Sequence, residues 1–274
     1  VGQEKFYTTL EPIILKEMDN ISDRDITHVM YAYGVRGAGN PKLHELFEKR
    51  LEAIASKLDY PGLFNATYYL LFQGNANESL WFNIIDNCSR QEAVLPLTYY
   101  RPFKAAAHYA AHHFPQWTQE DSAGEAGSFL SDFTDKFYYA EKYFNVVKFD
   151  DLYETEQAYK DFRAFLTGHC NVYPVPFMTV HNLFTMHFVF YEKKILIQFH
   201  LEKFCKPDKK ASEMQKLPSQ ILRLQGWEVL DLDESEFKSW DYQVRISEIQ
   251  GWLRSALEKQ KDKGIIERVP TQYV

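Results

Sequence analysis

The stretch Ile221-Leu222-Arg223-Leu224-Gln225-Gly226-Trp227-Glu228-Val229-Leu230-Asp231-Leu232 decides the fold of the C-terminal part of the chain. Ser219 to Gln225 reads as a helix, Gly226 supplies its stop, and Trp227 to Leu232 reads as an apolar strand. A helix that runs straight into a strand belongs to an α/β layer, not to a bundle of helices. Upstream, Met186 to Tyr191 and Ile195 to Phe199 are rich in β-branched and aromatic residues, with Glu192, Lys193 and Lys194 between them, which predicts a hairpin. Further upstream, the two prolines within Asn171 to Pro176 end the helical pattern. Downstream, Asp241 to Lys261 reads as a long amphipathic helix whose inner face carries Val244, Ile249, Trp252, Leu253, Ala256 and Leu257. The tail is therefore β-β-α-β-α.

Residues 1–170 read as helices. Asp25 to Val35 sets Ile26, Val29, Met30 and Tyr33 at helical spacing behind a Ser22/Asp23 cap signal, and Gly34, Gly37 and Gly39 end the run. Pro41 opens the next helix, with Leu43, Leu46, Phe47, Leu51 and Ile54 as its apolar stripe. Ile26 to Phe47 aligns with Leu63 to Ile84 at an offset of about 37 residues, a length typical of helix-pair solenoid units. In that alignment Gly37 falls on Gly74 and Asn40 on Asn77. Further helices are expected over Pro102 to Phe114, Gln119 to Phe144 and Asp151 to Thr167, without a readable third copy of the repeat.

Among the 274 residues, 45% are hydrophobic, enough to build a packed core, and 16% are aromatic, a surplus suited to contact surfaces. The formal charge of -7 excludes a general polyanion binder, which needs Lys and Arg in excess to displace counterions from phosphates. The three cysteines, Cys88, Cys170 and Cys205, form no C-x-x-C pair, so neither a disulfide framework nor a zinc ribbon is supported. The most apolar stretch, Phe184 to Leu201, is broken by His187, Glu192, Lys193, Lys194 and His200, which argues against a transmembrane helix. The chain begins at Val1 and not at Met, which fits either removal of a targeting peptide or a trimmed start.

The order of the tail resembles the RAP domain of eukaryotic organellar proteins. The resemblance is carried by Phe188 to Tyr191 with Ile195 to Ile197, the step Leu222 to Gly226 and Trp227, the strand Val229 to Leu232, the anchor Trp240 and the pair Trp252-Leu253. It covers about a quarter of the chain, and the helix pairs upstream are similar to those that usually precede this domain. It implies an α+β protein: an α-helical repeat array over 1–170, then a small restriction-endonuclease-like α/β (RAP-like) domain over 171–274. It also implies a mitochondrial location on the matrix side, and family members mostly act on organellar RNA. The chain departs from the family where acidic residues are common, since Gln198, His200 and Leu201 stand there, and Pro218 replaces a frequent Lys. Gln198 and His200 cannot stand in for the carboxylates that hold Mg²⁺ in phosphodiester cleavage.

Other chemistry is weaker. His108, His112 and His113 lack the Glu and the third ligand of a zinc site, and His169-Cys170 reads as a turn, not a dyad. The glycines 34, 37 and 39 follow a helix, whereas a phosphate loop opens one. No catalytic residue, metal or cofactor is expected, and no DNA binding. Two readings stay open. One is a non-enzymatic accessory or scaffold subunit of a mitochondrial assembly, a ribosome or an energy-transducing complex, binding protein subunits and peripheral to a membrane at most. The other is an organellar RNA-binding protein in RNA processing or stability, with Lys193, Lys194, Lys203 and Arg223 as candidate RNA contacts forming one basic face.

Overall fold

The computed structural model describes residues 2–91, 100–118, 130, 133, 156–180, 184–205 and 210–265. The protein is mostly helical with one four-stranded sheet on its C-terminal side, an α+β architecture. Contacts divide it into two compact units, Val1–Val146 with Ser212–Leu217, and Val147–Ala211 with Pro218–Val274.

In the first unit, α1 (Gly2–Glu17), α2 (Asp23–Arg36), α3 (Pro41–Ile54), α4 (Tyr60–Gln73), α5 (Glu78–Arg90) and α6 (Tyr100–His113) follow in order. Their ends are set by local chemistry. The Ser22 hydroxyl accepts from Asp25 N–H at 3.1 Å and the Asp59 carboxylate from Gly62 N–H at 2.9 Å, capping α2 and α4. Asn40 and Asn77 cap α3 and α5 in the same way, through Leu43 N–H at 2.9 Å and Leu80 N–H at 3.2 Å. Gly37 and Gly74 both close their helices in the left-handed region, at φ 59°, where a side chain is disfavoured. The following amides bind back alike, Ala38 N–H to Tyr33 O at 3.0 Å and Asn75 N–H to Leu70 O at 3.1 Å. Each of these pairs stands at the same offset of about 37 residues. His44 and Trp81 are related by that offset too, and both ring nitrogens reach the turn before their helix. His44 Nε2 lies 3.0 Å from Ala38 O, and Trp81 Nε1–H donates to Asn75 O at 2.6 Å. The α6 helix begins two residues earlier than the sequence pattern indicates. The helix expected over Gln119 to Phe144 lies outside the described residues, apart from Leu130 and Phe133, which are buried.

The second unit starts with α7 (Gln157–Gly168), and its sheet runs β1 (Val175–Val180), β2 (Phe184–Phe190), β3 (Ile195–His200), β4 (Glu228–Asp233) in spatial order. The expected helix from Asp151 is described only from Gln157. The first two strand pairs are antiparallel and β3–β4 is parallel, the crossover being α8 (Glu213–Leu224). Then come α9 (Glu234–Ser239) and α10 (Tyr242–Asp262). Alternation along the strands sorts the two faces. Ile195, Ile197, Phe199 and Leu232 face a core shared with Phe162 and Phe165 of α7, Phe237 of α9, and Ile249 and Leu253 of α10. Gln198, His200 and Asp231 face the opposite side, toward Ser219 and Arg223 of α8.

Four differences from the sequence pattern stand out. β1 is a strand although it contains Pro176; it is an edge strand, where a missing N–H costs no ladder bond on the open side. The α8 helix starts at Glu213, six residues before the expected start, and carries Pro218 inside it. The loop to Trp240 contains the short helix α9. Val244 is 39% exposed and is not part of the inner face of α10. Five residues from Ile249 correspond to about 500° of helix, which turns Val244 about 140° away from it.

Candidate functional site

Of the residues singled out by sequence, Gln198 and His200 lie on the face of the sheet turned to α8, and Arg223 reaches that face from the helix. Gln198 and His200 are alternate residues of β3 and are both buried, at 6% and 3% exposure. Asp231 on β4 binds three partners. His200 Nε2 donates to its Oδ1 at 2.9 Å, the Ser219 hydroxyl donates to the same oxygen at 2.6 Å, and the Arg223 guanidinium donates to Oδ2 at 2.7 Å. Arg223 also donates to Val229 O at 3.0 Å. Burial would raise the Asp231 carboxyl, but the hydrogen bonds from His200 and Ser219 and the nearby positive charge outweigh it and hold the group below its ordinary value.

Beside this cluster the β2–β3 ladder stops. Residue pairs are formed as far as Phe188 with Ile197, and beyond them side chains take over the backbone groups. His187 N–H donates to Gln198 Oε1 at 3.2 Å, Phe199 N–H donates to His187 Nδ1 at 3.1 Å, and the Tyr159 hydroxyl donates to Phe199 O at 2.9 Å. The Tyr159 oxygen also lies 2.9 Å from His187 Nε2, so a neutral ring with its proton on Nε2 satisfies the ring, the Tyr159 hydroxyl and both backbone groups of Phe199. Burial, with a smaller contribution from His200, pushes His187 down to about 3, which keeps it neutral. The sequence pattern missed Asp231, His187, Ser219 and Tyr159. A carboxylate set between two apolar neighbours, Leu230 and Leu232, was the signal for Asp231.

Other carboxylates near the C-terminal ends of β3 and β4 are also engaged. Asp233 accepts from Ala211 N–H at 3.0 Å, and Glu234 accepts from Glu202 N–H at 2.9 Å while pairing with Lys238 at 2.6 Å. Among the described residues, no group of three or more His, Cys, Asp or Glu is placed to hold a metal ion.

The remaining motif residues are structural contacts. Leu222 and Leu253 are buried, and Trp227 is buried with its ring 5.8 Å from that of Tyr191. Gly226 adopts φ 85° and its carbonyl accepts from the Gln260 amide at 2.9 Å. Trp240 and Trp252 pack, partly buried, against the core below the sheet. Of the four basic candidates, Lys203 is set apart from Lys193 and Lys194. Lys193 and Lys194 lie in the turn before β3, while Lys203 lies past its end, about 20 Å of strand away. Lys203 pairs with Glu156, and Arg223 with Asp231.

A groove of about 620 Å³ opens on the other face of the sheet, floored by Phe162, Phe165, Phe199 and Phe237. Its rim is internally paired, through Tyr242 with His169 at 2.6 Å and Arg245 with Trp240 O at 2.9 Å. In the first unit, the His112 and His113 rings stand 5.0 Å apart at the end of α6. None of the described helices is long and apolar enough to cross a membrane. No family model matches the chain, and no curated protein matches it.

Proposed function

We propose that this chain is a non-enzymatic accessory or scaffold subunit of a mitochondrial macromolecular complex, a ribosome or an energy-transducing assembly, that binds protein partners. On this reading α2–α3 and α4–α5 are successive helical repeat units, supported by their matching caps and turn contacts. The second unit is read as a RAP-like, restriction-endonuclease-like domain, supported by the ordered hairpin, helix, strand and closing helix. The observation that carries the reading is the occupancy of Asp231. Both of its oxygens are taken by Ser219, His200 and Arg223, and Gln198 and His200 are buried in the same polar region. A metal-dependent phosphodiesterase needs carboxylate oxygens turned toward a cation and its water. Here they are turned toward fixed protein donors, so the region serves the fold and the outer surfaces are left for contact.

The test is affinity purification of the intact tagged protein from mitochondria, with and without nuclease treatment. Stoichiometric protein partners that survive the nuclease are the expected result. Loss of all association after nuclease treatment would overturn the scaffold reading in favour of RNA binding.

A further inference from the structure

A small cavity of about 220 Å³ lies where α7 crosses the edge of the sheet, lined by Tyr159, Lys160, Arg163, Pro176, Phe177 and Phe188. Three features give it a chemistry. Its interior is aromatic: the Tyr159 and Phe177 rings are 5.5 Å apart edge to face, and Phe188 is fully buried behind them. Its mouth carries two exposed cations, Lys160 and Arg163, one helical turn apart, and among the described residues no carboxylate pairs with either. The nearby acidic residues of α7 and its N-cap are occupied elsewhere, Asp161 by Gln157 at 2.7 Å and Glu156 by Lys203. Finally, Phe177 sits at φ 50°, a conformation unfavourable for a bulky side chain, and this holds its half-exposed ring at the cavity in place of a regular ladder position opposite His187.

We propose that this cavity captures the C-terminal residue of a partner protein, with an aromatic or branched aliphatic side chain in the cavity and its terminal carboxylate between Lys160 and Arg163. The size fits one side chain, being below the roughly 300–1,000 Å³ of pockets that enclose a drug-sized ligand. Side chains one turn apart have Cβ atoms about 5–6 Å apart, so both cations reach a single carboxylate. In a terminal residue the apolar side chain and the carboxylate leave the same carbon, which matches a cavity whose cations stand at its mouth. The chain as a whole carries a charge of -7, so the attraction is local to this mouth and not a general affinity for anions. The inference rests on the reading of the chain as a binding protein and names one of its contacts.

The experiment is a titration of the full isotope-labelled chain with N-acetyl-phenylalanine, followed by NMR. Saturable millimolar binding is expected, with shifts confined to residues 159–163, 176–177 and 188. N-acetyl-phenylalanine amide, which lacks the charge, is expected to bind at least tenfold more weakly. The double variant Lys160→Gln/Arg163→Gln is expected to lose at least tenfold in affinity while keeping its melting temperature, because both side chains are exposed. Equal binding of acid and amide overturns the proposal, as do unchanged binding by the double variant and the absence of saturable shifts at these residues. Tighter binding of N-acetyl-Phe-Glu-amide also overturns it, since that would assign the cavity to an internal acidic segment. Failure here leaves the copurification result standing, so the two readings fail separately.

Discussion

His200 Nε2 donates to Asp231 Oδ1 at 2.9 Å across the parallel pair of β3 and β4, although the strand register sets His200 beside Asp233 and Asp231 beside Gln198. The contact is therefore diagonal, and it draws Ser219 and Arg223 of the crossover helix onto the same carboxylate. Two strands and the helix that joins them are tied at one side chain. Asp231→Ala strips the acceptor from a fully buried serine and a buried histidine, an unsatisfied-donor change worth about 2–4 kcal/mol of stability. Asp231→Asn retains one acceptor oxygen and should cost less. Urea unfolding of both variants checks the order; an Asp231→Ala cost below about 0.5 kcal/mol would contradict the tie.

The same face makes the second unit sensitive to acid. His187 is held neutral, with its protonation pushed from 6.5 down to about 3. The unfolded chain takes up that proton below about pH 6.5 while the fold does not, so stability falls as pH drops from about 6.5 toward 3. Asp231, held below its ordinary value, adds a loss in the same direction at still lower pH, as its carboxylate is protonated. One proton corresponds to about 1.4 kcal/mol per pH unit. Stability measured from pH 7 to 4 should show that slope, and His187→Gln should flatten it by about one proton. A wild-type profile that is flat through this range would refute a neutral buried His187.

Much of this fold could be read from the residues, and the exceptions have physical causes. The turn from Leu222 through Gly226 to Trp227 was legible because a helix stop and an apolar strand are both local signals. β1 was not, because Pro174 and Pro176 signal a break, and only the tertiary fact that the strand lies at an edge makes proline tolerable. The start of α8 was hidden by Pro218, which cannot bond to the carbonyl one turn back yet is carried within the helix. The polar network was legible only at Gln198 and His200. Its other members come from α7, β2, β4 and α8, and no periodicity shows that such distant positions converge. Closeness in sequence also misjudges Lys203, which stands a strand's length away from Lys193 and Lys194.

The matching turns of the first unit predict matching costs. Gly74 has open space around the position of a Cβ, so Gly74→Ala adds only the penalty of a left-handed backbone, about 1–2 kcal/mol. Asn40→Ala and Asn77→Ala each remove one cap and should each cost about 1 kcal/mol. Thermal unfolding of the three variants is the check. Cap variants that differ from each other by more than about 2 kcal/mol would show that the two turns are alike in geometry but not in energetics.

The closing helix allows a sharper comparison, because burial on α10 departs from a simple apolar reading of its sequence. Ile249 is fully buried, while Val244 is 39% exposed. Gln260 is fully buried, and its amide donates to Lys194 O and Gly226 O, both at 2.9 Å, joining the hairpin turn to the turn before β4. Truncating Ile249 to Ala leaves a cavity and should cost about 2–5 kcal/mol. Truncating Gln260 to Ala leaves two turn carbonyls without this donor and should cost about 1–3 kcal/mol. Val244→Ala removes only exposed surface and should stay within about 0.5 kcal/mol of the parent. Urea midpoints rank the three, and a polar Gln260 that matters more than an apolar Val244 is the order that hydropathy alone would reverse. If Val244→Ala proved the costlier change, the inner face of α10 would have to include it, and the rotation assigned to this helix would be wrong.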